Sequence, residues 1–68
     1  MAQLIYVPPT RQELENDIRK MFDDPEAWLQ TPNEHLGGKR PAAVIESGSD
    51  GRERVRDLLE AIKVGLPT

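Results

Sequence analysis

Between Trp28 and Pro41 the chain carries two of its six prolines, two of its five glycines, its single Trp and its single His. Pro32 biases Thr31 away from helical geometry, Asn33 suits a turn, and Gly37-Gly38 admits the positive φ of a sharp bend. No long helix can run through such a stretch. The chain must fold as elements on either side of a corner, and that corner is an active site, a binding surface or only a turn.

Length sets the second limit. With 68 residues there is one domain at most, and a chain this short buries only about 60% of its unfolded surface, so its core is marginal. It has no Cys, which excludes disulfides, thiolate metal sites and a thiol nucleophile. Small extracellular domains lean on such staples, so a reducing, cytoplasmic setting is expected. Met1–Pro9 has no basic leader and too short an apolar run for a signal peptide, and no segment approaches a membrane span. The net charge of −3 argues against a general nucleic-acid binder, which needs a cationic face.

The rest of the chain reads as helix. Leu4-Ile5-Tyr6-Val7 has strand composition but is stopped by Pro8-Pro9, so residues 1–9 form an extended or flexible arm. Thr10 and Glu13 have capping-box spacing. Behind them Leu14, Ile18, Met21 and Phe22 make one apolar stripe on a helix over about 11–22. Asp24-Pro25-Glu26 opens a short helix over about 25–30. Pro41 opens another over about 41–47, with Gly48 at its C′ position. Ser49 or Asp50 caps a last helix over about 51–64, Asp50 and Glu53 giving a second capping-box spacing, and Val55, Leu58, Leu59 and Ile62 form its stripe. Gly65 closes it. The expected fold is all-α: two longer amphipathic helices enclosing two short ones, with Trp28 and Leu29 plugging the gap between them and Trp28 filling the core. Residues 10–68 form the folded domain.

Chemistry is hard to assemble from these residues. His35 has Glu34 and Asn33 beside it, but nothing brings Ser47 or Ser49 to it as a nucleophile, and a metal would need further ligands of matching type. Gly37-Gly38-Lys39 lacks the hydroxyl residue and the preceding strand of a phosphate loop, so a positive-φ turn explains it. Asp23, Asp24 and Glu26 are explained by helix capping. Arg52, Arg54 and Arg56 crowd the first half of the last helix, where cations oppose the helix dipole. With Lys39 and Arg40 they form an acid- or phosphate-binding edge, or else a solvated face in which Arg56 pairs with Glu60. A small helical domain without a catalytic constellation, metal site or cofactor site is most simply a binding module.

Ala27-Trp28-Leu29, Thr31-Pro32-Asn33, Leu36-Gly37-Gly38, Pro41, Gly48, Val55, Leu58-Leu59, Ile62 and Gly65 together resemble the antitoxin Xre/MbcA/ParS toxin-binding domain, over about residues 20–66. The resemblance implies an antitoxin of a bacterial type II toxin–antitoxin system, not an enzyme, whose partner is a RES-domain toxin that consumes NAD or transfers ADP-ribose. It implies inhibition by direct binding, the C-terminal end of the domain covering the toxin's NAD pocket. That places the contact on Lys63, Val64, Gly65, Leu66, Pro67 and Thr68, with Arg56 and Glu60 preceding them on the last helix. Trp28, Leu29, Pro32, Asn33, Leu36, Gly37, Gly38 and Pro41 become scaffold. Members of the family usually carry a helix-turn-helix domain ahead of this one. The roughly 20 residues before the match are too few for it, so DNA binding is not expected.

Two other readings compete. One is a transcriptional or nucleic-acid adaptor using Lys39, Arg40, Arg52, Arg54 and Arg56. The other is a structural module that self-associates as a homodimer through the Leu4–Val7 arm.

Overall fold

The computed structural model describes residues 7–65. Four α-helices follow in chain order: α1 (Arg11–Met21), α2 (Pro25–Gln30), α3 (Pro41–Glu46) and α4 (Ser49–Lys63), with a 3-10 turn over Glu34–Leu36 between α2 and α3. The domain is all-α, with two longer helices and two short ones. The arm segment Leu4–Tyr6 lies outside the described residues; Val7 is exposed.

Local signals set the helix starts. Thr10 caps α1 in a complete capping box: its hydroxyl accepts the Glu13 amide at 3.1 Å, and its own amide donates to Glu13 Oε1 at 2.8 Å. Asp24 accepts the Ala27 amide at 3.1 Å ahead of Pro25 in the first turn of α2. All four members of the α1 stripe face the core, with Met21 and Phe22 part-buried against it. Leu14 and Ile18 are buried, but Phe22 lies just past the helix in an extended conformation. From there its ring stacks on Trp28, centroids 4.7 Å apart and 14° from parallel.

Trp28 therefore does not fill the core as its composition predicts. No residue of α2 is buried, and Trp28 and Leu29 pack on the core from its edge. The Trp28 ring is committed to the stack with Phe22, which holds it along the edge of the core. The buried positions fall instead to Leu14, Ile18, Leu36, Val44, Ile45, Val55, Leu58 and Leu59.

The start of α4 also differs from expectation. Ser49 and Asp50 lie within the helix, Gly48 occupies the N-cap position at φ 129°, and no side chain caps it, so the Asp50–Glu53 capping box does not form. The reason is the closeness of α3. Ser47 ends α3, and Gly48 alone turns the chain into α4. Gly51 is then buried against α3 so closely that a Cβ there would overlap the Val44 carbonyl and the Ser47 hydroxyl.

Two contacts fix α4 against α1. Arg52 Nε donates to the Pro9 carbonyl at 3.0 Å, and Lys63 Nζ lies 3.6 Å from Asp17 Oδ2. The residues just before α1 meet the first turns of α4, and the later half of α1 meets the end of α4, so the two helices run side by side in the same direction. Arg11 adds an ion pair to Glu46 at the end of α3, 3.3 Å, with both side chains exposed; such pairs contribute about 0–1 kcal/mol and serve alignment more than stability.

Two outcomes follow. Gly51→Ala lowers stability by about 2–3 kcal/mol, read as the shift in urea midpoint, because backbone and not a flexible side chain blocks the new methyl; a change below 0.5 kcal/mol would mean the helices separate freely. For Glu13, the hydrogen bond from the Thr10 amide, then that to the Thr10 side chain, hold the carboxyl below its ordinary range. A depressed folded pKa stabilises above the ordinary value and is lost as pH falls through the folded one. The Tm gap between wild type and Glu13→Ala is therefore largest near neutrality and narrows as pH falls below the ordinary glutamate range.

Candidate functional site

The corner between α2 and α3 is built on Asn33. Its Oδ1 accepts the His35 amide at 2.8 Å, opening the 3-10 turn. Its backbone carbonyl accepts the Leu36 amide at 3.0 Å and the Gly38 amide at 2.9 Å, and its amide donates to the Lys39 carbonyl at 3.0 Å. One residue thus ties both ends of the loop. Gly37 (φ 68°) and Gly38 (φ 79°) make the reversal. Leu36 points into the core, and Pro41, also buried, starts α3. Trp28, Leu29, Pro32, Asn33, Leu36, Gly37, Gly38 and Pro41 are brought together here as a rigid corner.

Among the described residues no group of His, Cys, Asp or Glu side chains converges as a metal site, and no helix is long and apolar enough to cross a membrane. His35 is exposed on the 3-10 turn.

The second candidate region is the end of α4. Arg56, Glu60 and Lys63 recur at i, i+4 and i+7, on one side of the helix. Lys63 Nζ lies 3.4 Å from Glu60 Oε1 as well as reaching Asp17. Arg56 Nη2 pairs at 3.2 Å with Asp57, not with Glu60 as the four-residue spacing predicts; Glu60 is taken by Lys63 from the C-terminal side. Val64 is 87% exposed. The helix closes at Gly65, at φ 109°, whose amide donates to the Ile62 carbonyl at 3.0 Å. Leu66, Pro67 and Thr68 lie outside the described residues.

The basic residues do not form one patch. Arg52 is turned to Pro9 and Arg56 to Asp57, while Arg54, half a turn around α4, lines a groove with Lys39. The partners Pro9, Asp17 and Glu46 were not legible in the sequence, because each is supplied by another element and leaves no local spacing.

This is the anatomy of a small helical binding domain: a closed core, a hydrogen-bonded corner, and a long helix whose end is exposed. The family profile described as the antitoxin Xre/MbcA/ParS C-terminal toxin-binding domain matches residues 19–65, and the chain belongs to that family. No curated protein and no solved structure gives a match. The match takes in the corner and runs to the end of α4, the two regions built above.

Asn33→Ala removes the acceptor of the His35 amide and lowers stability by about 1 kcal/mol, a Tm fall of roughly 4–8 °C in a domain of this size. Asn33→Asp, which keeps the acceptor, retains most of it. Equal losses in thermal unfolding for the two would show that the side-chain oxygen does not hold the corner.

Proposed function

We propose that this domain neutralises a RES-domain toxin, an enzyme that consumes NAD or transfers ADP-ribose, by seating the end of α4 and the residues after it over the toxin's NAD pocket in the bacterial cytoplasm. The observation that carries the proposal is the family match, which reaches Gly65 at the end of that helix. The physical support is preorganisation. Val55, Leu58 and Leu59 are buried, so α4 is locked by its inner face before any partner arrives. A rigid helix loses little freedom on binding, and more of its contact energy appears as affinity. Val64 already stands in solvent, and Lys63 is held only by exposed ion pairs to Asp17 and Glu60. Such pairs are weak enough for an acceptor in the toxin pocket to displace them.

The Trp28–Pro41 corner serves this function indirectly. It fixes α3, and α3 fixes the start of α4 through Gly51, so the direction in which the helix end points is set by a contact at its opposite end.

Co-expression with the protein encoded beside it, a RES-domain toxin on this reading, provides the test. The full chain co-purifies with that protein and suppresses loss of cellular NAD. Deleting Leu66-Pro67-Thr68 relieves the suppression at least about tenfold, a loss of about 1.4 kcal/mol in binding, while thermal unfolding of the free domain shifts by less than about 0.5 kcal/mol. Failure to co-purify would end the reading. Parallel losses of stability and inhibition would end the occlusion mechanism alone.

A further inference from the structure

A groove of about 460 Å³ opens where the 3-10 turn, α3 and the first turns of α4 meet, lined by Leu36, Ala43 and Val44 with Lys39 and Arg54 at its edges. Arg11, Arg19, Arg56 and Lys63 each have a carboxylate within 4 Å. Lys39 and Arg54 have none among the described residues, in a chain with twelve acidic side chains against nine basic ones. Asp50 is the single carboxylate among the lining residues, and it lies in the first turn of α4, where the helix dipole offsets its charge. Arg40 adds a further exposed cation beside Lys39. The result is a locally positive, apolar-lined groove on an otherwise acidic domain. Its position is fixed: the Lys39 carbonyl accepts the Asn33 amide and its own amide donates to the Leu36 carbonyl at 3.3 Å, and Arg54 rides on the turn that Gly51 presses against α3.

We infer that this groove is a second docking surface for the same toxin, receiving an acidic segment with apolar side chains. The inference rests on the toxin-binding reading above. Charge complementarity selects the occupant, because the rest of the domain repels an acidic segment and the groove attracts it. The groove begins at Gly51, and the proposed plug begins near Val64, about 20 Å away along the helix axis at 1.5 Å per residue. Two contacts at opposite ends of one rigid helix define an orientation that a single contact does not. Edge cations in high dielectric act mainly on encounter: they raise the association rate and make it salt-dependent.

The test measures association of the full chain with the protein encoded beside it, a RES-domain toxin on the proposed reading, comparing wild type, K39E/R54E, K39Q/R54Q and K20E. Lys20 is an exposed cation on α1, away from the groove, and controls for net charge. At about 50 mM salt K39E/R54E associates about tenfold more slowly, K39Q/R54Q falls between it and wild type, and K20E stays within about twofold of wild type. At about 500 mM salt the differences shrink below about threefold, as screening requires. Circular dichroism and Tm report that each variant is folded. If wild type binds and K39E/R54E behaves like K20E, the groove is not a docking surface, and the toxin-binding reading stands. If wild type does not bind at all, both fall. If the reversal instead lowers affinity for a short DNA duplex and leaves toxin association unchanged, the groove is a phosphate surface and the inference is overturned.

Discussion

The approach of the Gly51 backbone to the Val44 carbonyl is the contact on which the rest of the fold depends. α3 is six residues long and cannot stand alone; it exists because α4 lies against it. The two helices are joined through Ser47 and Gly48, and the positive φ of Gly48 makes the turn without a longer loop. A connection that short leaves no slack. The first turn of α4 must either pack directly on α3 or pull away from it, and the missing side chain at position 51 allows the first. Once that contact is made, Val55, Leu58 and Leu59 are aimed at Leu14 and Ile18, and α1 can dock.

With so small a core, local devices carry a large share of the order. The buried set is eight hydrophobic residues, and no polar or charged residue is buried among the described ones. Domains of this size rarely gain more than about 3–5 kcal/mol from a single core. A capping box, an Asp cap or the Asn33 clamp each contribute about 1 kcal/mol, so these hydrogen bonds are comparable to the net stability and are not trimming on it. The Phe22–Trp28 stack belongs to the same category. It ties the end of α1 to α2 at the edge of the core, where neither ring is fully buried.

How much of this was legible in the sequence depends on whether the signal was local. Thr10 with Glu13, Asp24 with Pro25, the stripes on α1 and α4, and the glycines at 37, 38 and 65 all act within a few residues of themselves, and the structure places them as their chemistry dictates. Trp28 misled because hydrophobicity ranks a side chain without naming its neighbour, and the stack with Phe22 holds the ring at the edge of the core. The start of α4 misled for a related reason: Ser49 and Asp50 are good caps in isolation, but the position of a helix start was decided by a backbone contact with another helix. Gly51 gave no sign of that role, since glycine near a helix start reads as turn chemistry. The sequence grouped Lys39 and Arg40 with Arg52, Arg54 and Arg56 as one basic edge, and of that set the fold puts Lys39 and Arg54 on the lining of the groove. Lys39 and Arg54 are fifteen residues apart in the chain, and only the fold sets them on one cleft.

The distribution of charge gives the two ends of α4 different characters. At the C-terminal end the cation Lys63 is paired with Asp17 and Glu60, and Val64 stands exposed beside it. At the N-terminal end Arg54 and Lys39 keep their charge beside an apolar cleft. An end whose cation is held only by exposed pairs can pass it to an acceptor on entering a pocket, where an unpaired charge would carry a desolvation penalty. An end that keeps its charge suits recognition at longer range, where the field acts before contact. One helix held rigid along its length can thus separate capture from occlusion. The corner from Trp28 to Pro41, which has no chemistry of its own in this proposal, is what keeps the two in register.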